Sequence, residues 1–304
     1  MVSEHDDGKI DGKHISAYVM LILAPLFWAG NYVVGRAFAP ELPPATLVFL
    51  RWLIASLMML PFVYSELRPA IPAICKNWFW LIRQALLGIA VFTGLMYTAL
   101  QTTTAINAGI IMAMTPIIIP LLSVSLKRAT FSISVFTGAI ISFLGIAFII
   151  SRGSPMEIIE RGFVRGDLIA LVAMLVWALY LIFVKDRPSS LRPNVVLFAT
   201  MSLSCVIVFP AMLIEMEIGR VMIVSTSSLM AVIYIGIFPS LISYFLFNRG
   251  TEIVGPSHGG LFMHLLPVWT VVLSVLFLEE SLALYHAVGI AFVALGMYIV
   301  FRKP

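Results

Sequence analysis

Charge is what this chain has least of. Only 11% of its 304 residues are Asp, Glu, Lys or Arg, while 61% are hydrophobic and the mean hydropathy is +1.04. A soluble domain carries about 25% charged residues, so this composition cannot cover a water-facing surface. The deficit excludes a soluble globular protein. Cysteine is nearly absent as well. Cys75 and Cys205 lie far apart, one in a loop and one in an apolar run, which excludes a disulfide framework and a cysteine metal motif. There is no Gly-rich nucleotide loop ending in Gly-Lys-Ser/Thr and no His-Glu-x-x-His helix. No cofactor, no bound metal and no ATP hydrolysis are therefore expected. Carboxylates are missing where a proton-coupled carrier usually keeps one: all fifteen acids fall in tails, loops or the first or last turn of an apolar run. The cations behind the net charge of +4 sit at the ends of the runs, so they are not a nucleic-acid signal.

What is present is a series of continuous, helix-length apolar runs. A membrane barrel would instead show roughly 10-residue alternating segments. The runs cover about 16–37, 45–64, 80–100, 105–126, 131–151, 166–185, 194–214, 229–248, 256–278 and 282–302. The expected fold is an all-α integral membrane protein with ten transmembrane helices. The first run continues for about 20 residues without a small-x-small cleavage site, so it reads as a retained span preceded by a polar tail, residues 1–15. Cations set the orientation. On the side of the N-terminus lie Lys9, Lys13, Arg68, Lys76, Arg83, Lys127, Arg128, Lys185, Arg187, Arg192, Arg249, Arg302 and Lys303. The other side holds Arg36, Arg152, Arg161, Arg165 and Arg220. By the positive-inside rule both termini are cytoplasmic, in a plasma membrane and most simply a bacterial inner membrane.

The last third of the chain is a shifted copy of its middle. A shift of 151 residues places Gly109, Met112, Pro116, Ser123, Gly138, Leu144 and Gly145 on Gly260, Met263, Pro267, Ser274, Gly289, Leu295 and Gly296. A shift of 149 places Trp28 on Trp177 and Arg36 on Lys185. Each copy, 16–151 and 166–302, holds five runs, and residues 152–165 join them. An odd number of spans forces the second copy to enter from the opposite face, giving two inverted five-helix repeats around a central cavity. That plan belongs to secondary transporters.

Particular residues carry a further resemblance. Trp28-Ala29-Gly30-Asn31, then Pro44 and Phe49-Leu50-Arg51-Trp52, resemble the opening of EamA-type exporters in the ten-helix drug/metabolite transporter superfamily. Phe277-Leu278-Glu279-Glu280-Ser281-Leu282, with His286, Gly289 and Gly296, is similar to that family's closing Phe-Leu-Gly-Glu stretch. Glu279 stands where Gly is usual, His286 where Gln is common, and Ala129 occupies the Glu280 position of the first copy. The overall character is closest to YddG-like exporters of aromatic and other amino acids. The resemblance implies a cavity lined by spans one, three, four, six, eight and nine, with spans five and ten peripheral.

Candidate site residues follow from depth and spacing. Trp28, Asn31 and Tyr32 share one face of the first span. Trp177 and Tyr180 repeat the spacing in the sixth. Tyr97 and Tyr244 lie well inside the third and eighth. Asn31 and the tyrosine hydroxyls need partners, which favours the bundle interior, although plain helix packing stays open. His258 and His264 fall in the ninth span; six residues apart, they do not share a face and cannot form a metal pair. His264 is either a cavity or proton-exchange group or a packing residue. Asn107, Met112 and Met263 complete the substrate-cavity set. Pro116 and Pro267, at matching positions, and Pro120 are gating or kink candidates, or merely shape the helix. Arg51, two turns into the second span, either snorkels to the interface or meets an anionic substrate. Glu280 is expected to cap the start of the tenth span.

The expected function is a secondary transporter exporting small metabolites, amino acids favoured, by alternating access. Drugs or other metabolites on the same scaffold, and a passive channel, remain alternatives. An intramembrane enzyme would need clustered polar catalytic groups, so no enzymatic activity is expected. The expected partners are a small-molecule substrate and the lipid bilayer, with no nucleic acid. A monomer suffices, and oligomers stay open.

Overall fold

The computed structural model describes residues 12–130, 132–154, 164–255 and 262–301, and every regular element among them is helical. In chain order these are α1 (Gly12–Ala37), α2 (Pro44–Lys76), α3 (Trp78–Gln84) and α4 (Phe92–Leu100). A π-helical segment, Ala85–Val91, fuses α3 and α4 into one rod. Then come α5 (Ala105–Met112), α6 (Thr115–Ser125), α7 (Ile133–Ile150), α8 (Arg165–Val184) and α9 (Pro193–Glu217). A second π segment, Phe238–Ile242, fuses α10 (Thr226–Ile237) and α11 (Ser243–Val254). The described chain closes with α12 (Leu265–Leu278) and α13 (Leu284–Phe301). Among the described residues, 7 rods are individually long and apolar enough to cross a membrane, or 8 if the bent pair α5–α6 counts as one span. Leu265–Leu278 and Leu284–Val300 are shorter apolar helices.

Local sequence accounts for several helix starts. Pro44 and Pro193 occupy the first helical position, where a missing N–H costs nothing. Thr104 caps α5 by accepting from the Asn107 N–H at 3.0 Å, and Ser225 and Ser228 form a capping box on α10. Two rods run past the expected ends at residues 64 and 248, α2 to Lys76 and α11 to Val254. Charge marks the end of the apolar slab, but it does not stop backbone hydrogen bonding. The 33 residues of α2 span about 50 Å, more than the roughly 30 Å hydrocarbon layer, and its projecting turns carry Glu66, which pairs with Arg192 at 3.3 Å.

The prolines act differently from the mid-span kinks that the sequence implies. The 47° bend in the fourth run falls between Met112 and Thr115. Pro116 lies just after it, in the first turn of α6, and Pro267 lies in the first turn of α12. Each starts a new helix where its lost donor is harmless; only Pro120 is interior to its helix. The π segments were not foreseen. Shifting Ala85–Val91 by 151 residues gives 236–242, which contains Phe238–Ile242.

The most extensive helix pair is α7 with α13, and glycines permit it. A Cβ on Gly138 would lie 2.6 Å from the Gly296 carbonyl oxygen, and one on Gly145 would lie 2.7 Å from that of Gly289. The pairing order makes these helices antiparallel. Lipid gives no hydrophobic drive between helices, so close backbone approach supplies the attraction.

Glu279 ends α12 in the left-handed region, φ 55° and ψ 24°. This is the position where the related signature has glycine, and an L side chain there costs about 1 kcal/mol. Glu279→Gly is expected to stabilise the detergent-solubilised protein by about 1 kcal/mol, read as a raised thermal midpoint. An unchanged or lower midpoint would show that the side chain makes a compensating contact.

Candidate functional site

Arg51 is the centre of a buried polar cluster and is only 5% exposed. It does not snorkel. Its Nε donates to Ser240 Oγ at 2.7 Å, and Nη1 donates to Asn31 Oδ1 at 3.0 Å and to the Tyr97 hydroxyl at 2.8 Å. Tyr97 in turn donates to Asn31 Oδ1 at 2.5 Å. The guanidinium also lies 4.5 Å from the Trp52 ring centroid, a cation–π contact. No ion pair to Arg51 occurs among the described residues. Tyr32 and Tyr244 stand within electrostatic reach of it. Asn31, Tyr32 and Tyr97 are all buried, at 8%, 5% and 2%.

The second π segment builds the far wall. Pro239 has no N–H to offer the Ile235 carbonyl four residues back, and the Ser240 hydroxyl donates to that carbonyl at 2.8 Å instead. This fixes the Ser240 oxygen as an acceptor for Arg51. The Pro239 carbonyl accepts from Trp28 Nε1 at 2.9 Å. Sequence reading left Arg51 open between the interface and an anionic substrate, and it missed Ser240 altogether. The available signal was Pro239-Ser240 inside the eighth run.

Two aromatic groups flank the cluster. Trp28 meets Tyr244 edge-on at 5.5 Å. Trp177 stacks on Tyr180 at 4.9 Å and tilts against Phe92 at 4.7 Å. Tyr180 covers Gly88 in the first π segment, where a Cβ would lie 2.4 Å from the ring. Trp177 packs against the same apolar core that holds Tyr32 and Tyr97. Met112 is buried at the α5–α6 bend and Met263 is half-buried before α12. His258 lies outside the described residues. His264 is exposed at the N-terminus of α12, with no hydrogen-bond partner for its ring among the described residues.

Asn107 belongs elsewhere, because the first turn of α5 lies at a rim. Its Nδ2 donates to Asp167 Oδ1 at 3.1 Å, its Oδ1 meets His286 Nε2 at 3.2 Å, and Thr103 also donates to Asp167. Glu280 reaches the same helix end. Its two carboxylate oxygens accept from the Ala105 and Ile106 N–H groups at 2.9 and 3.1 Å, so it caps α5 and not its own following helix. Glu215 does the same for α2, accepting from Ala45 and Thr46 at 3.0 and 2.9 Å. The first N–H groups of a helix lack internal partners, and its dipole attracts a carboxylate regardless of which segment supplies it. At the other rim, Asp186 accepts from Arg128 at 2.8 Å, and that hydrogen bond holds its carboxyl below the usual carboxylate range. Glu280→Gln is expected to cost about 1–2 kcal/mol of stability while the flux per folded molecule stays within about twofold. Normal folding with lost flux would make Glu280 part of the transport cycle.

A flank groove of about 290 Å³, lined by Ile74, Trp78, Leu81, Ile82, Ala199, Ser202, Leu203 and Val206, shares no residue with the Arg51 cluster. It is almost wholly apolar and faces the side of the bundle where α2, α3 and α9 meet.

Together these features define a polytopic helical membrane protein with a charged, aromatic-flanked site in its interior. The sequence pattern of the EamA-like transporter family matches residues 15–151 and again 164–302, and the chain belongs to that family. It is similar to the uncharacterized transporter YyaM of Bacillus subtilis, 25% identical over 295 residues that cover 94% of this chain and 93% of the relative. YetK of the same organism, also an uncharacterized transporter, is 26% identical over 301 residues, 97% and 90% of the two chains. Protein PecM of Dickeya dadantii is 24% identical over 282 residues, 91% and 89%. A crystal structure with 18% identity matches at a TM-score of 0.58 over 94% of this chain and 97% of its own; at that identity the likeness concerns fold alone.

Proposed function

We propose that this protein is a secondary transporter exporting small metabolites by alternating access, with amino acids, aromatic ones included, as favoured cargo, as in the YddG-like exporters it resembles. The observation that carries this reading is the Arg51 cluster. A buried guanidinium is costly inside an apolar bundle and marks a substrate or ion path by default. It is held jointly by α1, α2 and α4 from the first half and by Ser240 from the second. A site shared between halves changes shape when the halves rock against each other, as alternating access requires.

The contacts of α7 with α13 support ten spans in two inverted repeats. Gly138 and Gly145 match Gly289 and Gly296 in the repeat, and the observed contacts are Gly138 with Gly296 and Gly145 with Gly289. Such reciprocal pairing is the mark of a two-fold axis, and between antiparallel helices that axis lies in the membrane plane. In this reading Trp28, Asn31, Tyr32, Tyr97, Trp177, Tyr180 and Tyr244 border the substrate path, with Met112, Met263 and His264 at the helix breaks. Both termini face the cytoplasm, and a monomer suffices.

Flux into proteoliposomes across an amino-acid panel, with and without a pH gradient, tests the proposal. Saturable uptake, accelerated by substrate on the far side, is expected. Flux that rises linearly without saturation would make the protein a passive channel.

A further inference from the structure

We infer that Arg51 is the docking point for a carboxylate on the transported molecule, whose body is apolar or aromatic, and that an ammonium group is not needed for recognition. This rests on the transporter reading above and names the chemistry of its cargo.

Hydrogen-bond accounting carries the inference. A guanidinium has five N–H donors. Ser240 takes the one on Nε, and Asn31 and Tyr97 take the two on Nη1. The two on Nη2 have no acceptor among the described residues. The acceptors that Arg51 already bonds are fully engaged. Asn31 Oδ1 receives both Arg51 and Tyr97, and Ser240 receives Arg51 while giving its own proton to Ile235. The hydroxyls of Tyr32 and Tyr244, within electrostatic reach of Arg51, have no hydrogen-bond partner among the described residues. What remains is positive and keeps two unused Nη2 donors. A site of that kind fits an oxyanion, while the Arg51 guanidinium repels a second cation. One guanidinium with no second cation matches one negative charge, hence a carboxylate and not a phosphate dianion. The half-buried rings of Trp28 and Tyr244, 5.5 Å apart, provide apolar surface beside it.

The test uses purified full-length protein, thermal unfolding in detergent and competition in proteoliposomes. The probes are 3-phenylpropionate, its neutral amide, phenylalanine and the cation phenethylamine. The two carboxylates should raise the unfolding midpoint and compete for transport. The amide and the amine should do so at least about tenfold more weakly. Arg51→Gln should erase the difference between acid and amide; if that variant does not fold, the contrast on the unaltered protein decides alone. An amide that binds as well as its acid, or an acid that does not bind, overturns the inference. Acid-specific binding without flux would instead sink the transporter reading and leave the site standing.

Discussion

Asn31→Asp is expected to leave the protein at least as stable as before and to weaken binding of carboxylate cargo by about 100-fold or more, roughly 3 kcal/mol. The two side chains have nearly the same shape, so the new carboxylate keeps an oxygen 3.0 Å from Arg51 Nη1 and 2.5 Å from the Tyr97 hydroxyl. It supplies the counter-charge that the described surroundings of Arg51 lack. An isolated buried cation is far more costly than a paired one, so folding gains from the exchange. Binding loses, because a carboxylate cargo then meets a neutralised guanidinium beside a like charge. Asn31→Leu makes the complementary case. It strips the acceptor from Arg51 and Tyr97 together and should cost at least about 1–3 kcal/mol of stability. Thermal unfolding and counterflow on the same preparations separate the two effects. Full transport by Asn31→Asp would mean that Arg51 serves only to hold α1, α2, α4 and the second π segment together.

The helices were legible in the sequence because apolar length is a strong signal. The run read as 131–151 is the helix Ile133–Ile150, and the run read as 194–214 begins one residue earlier, at Pro193. Where the chain stays helical beyond the bilayer, as α2 does, the apolar run understates the element. The aromatic faces were legible too: Trp177 and Tyr180 stack as their spacing implies. Three features were not. Arg51 sits two turns from a span end, a depth from which a long side chain could reach water, and its hydrogen bonds to Asn31, Tyr97 and Ser240 hold it inside. The π segments carry no periodicity of their own and depend on the register between neighbouring rods. Glu280 was expected to cap its own following span and Asn107 to line the cavity, whereas they bond to residues 175 and 60 positions away, respectively, across a rim formed by several connections. Long-range polar contacts at helix ends leave no local trace.

Alanine at Gly138 and alanine at Gly289 are expected to destabilise the protein equally, each by about 1–3 kcal/mol. The two positions match in the repeat, and their surroundings match as well. A Cβ on Gly138 would meet Val300 at 2.5 Å and the Gly296 oxygen at 2.6 Å, while one on Gly289 would meet Ile149 at 2.3 Å and the Gly145 oxygen at 2.9 Å. Val300 and Ile149 are themselves related by the same 151-residue shift. In each case a backbone oxygen blocks the methyl group, so the helices must separate and their dispersion contact weakens along the seam. Gly94→Ala in α4 is the control, because nothing lies within 4 Å of its added Cβ. It should be neutral or stabilising by up to about 1 kcal/mol, the helix-propensity difference. The two critical glycines lie at opposite ends of the seam, roughly 10 Å apart along α7 and α13, so their losses should add in the double variant. Gly138→Ala with Gly296→Ala, which share one contact, should cost less than the sum of the two. Clearly unequal single losses at Gly138 and Gly289, measured by thermal or denaturant unfolding, would argue against a two-fold relation between the halves and hence against rocking of inverted repeats.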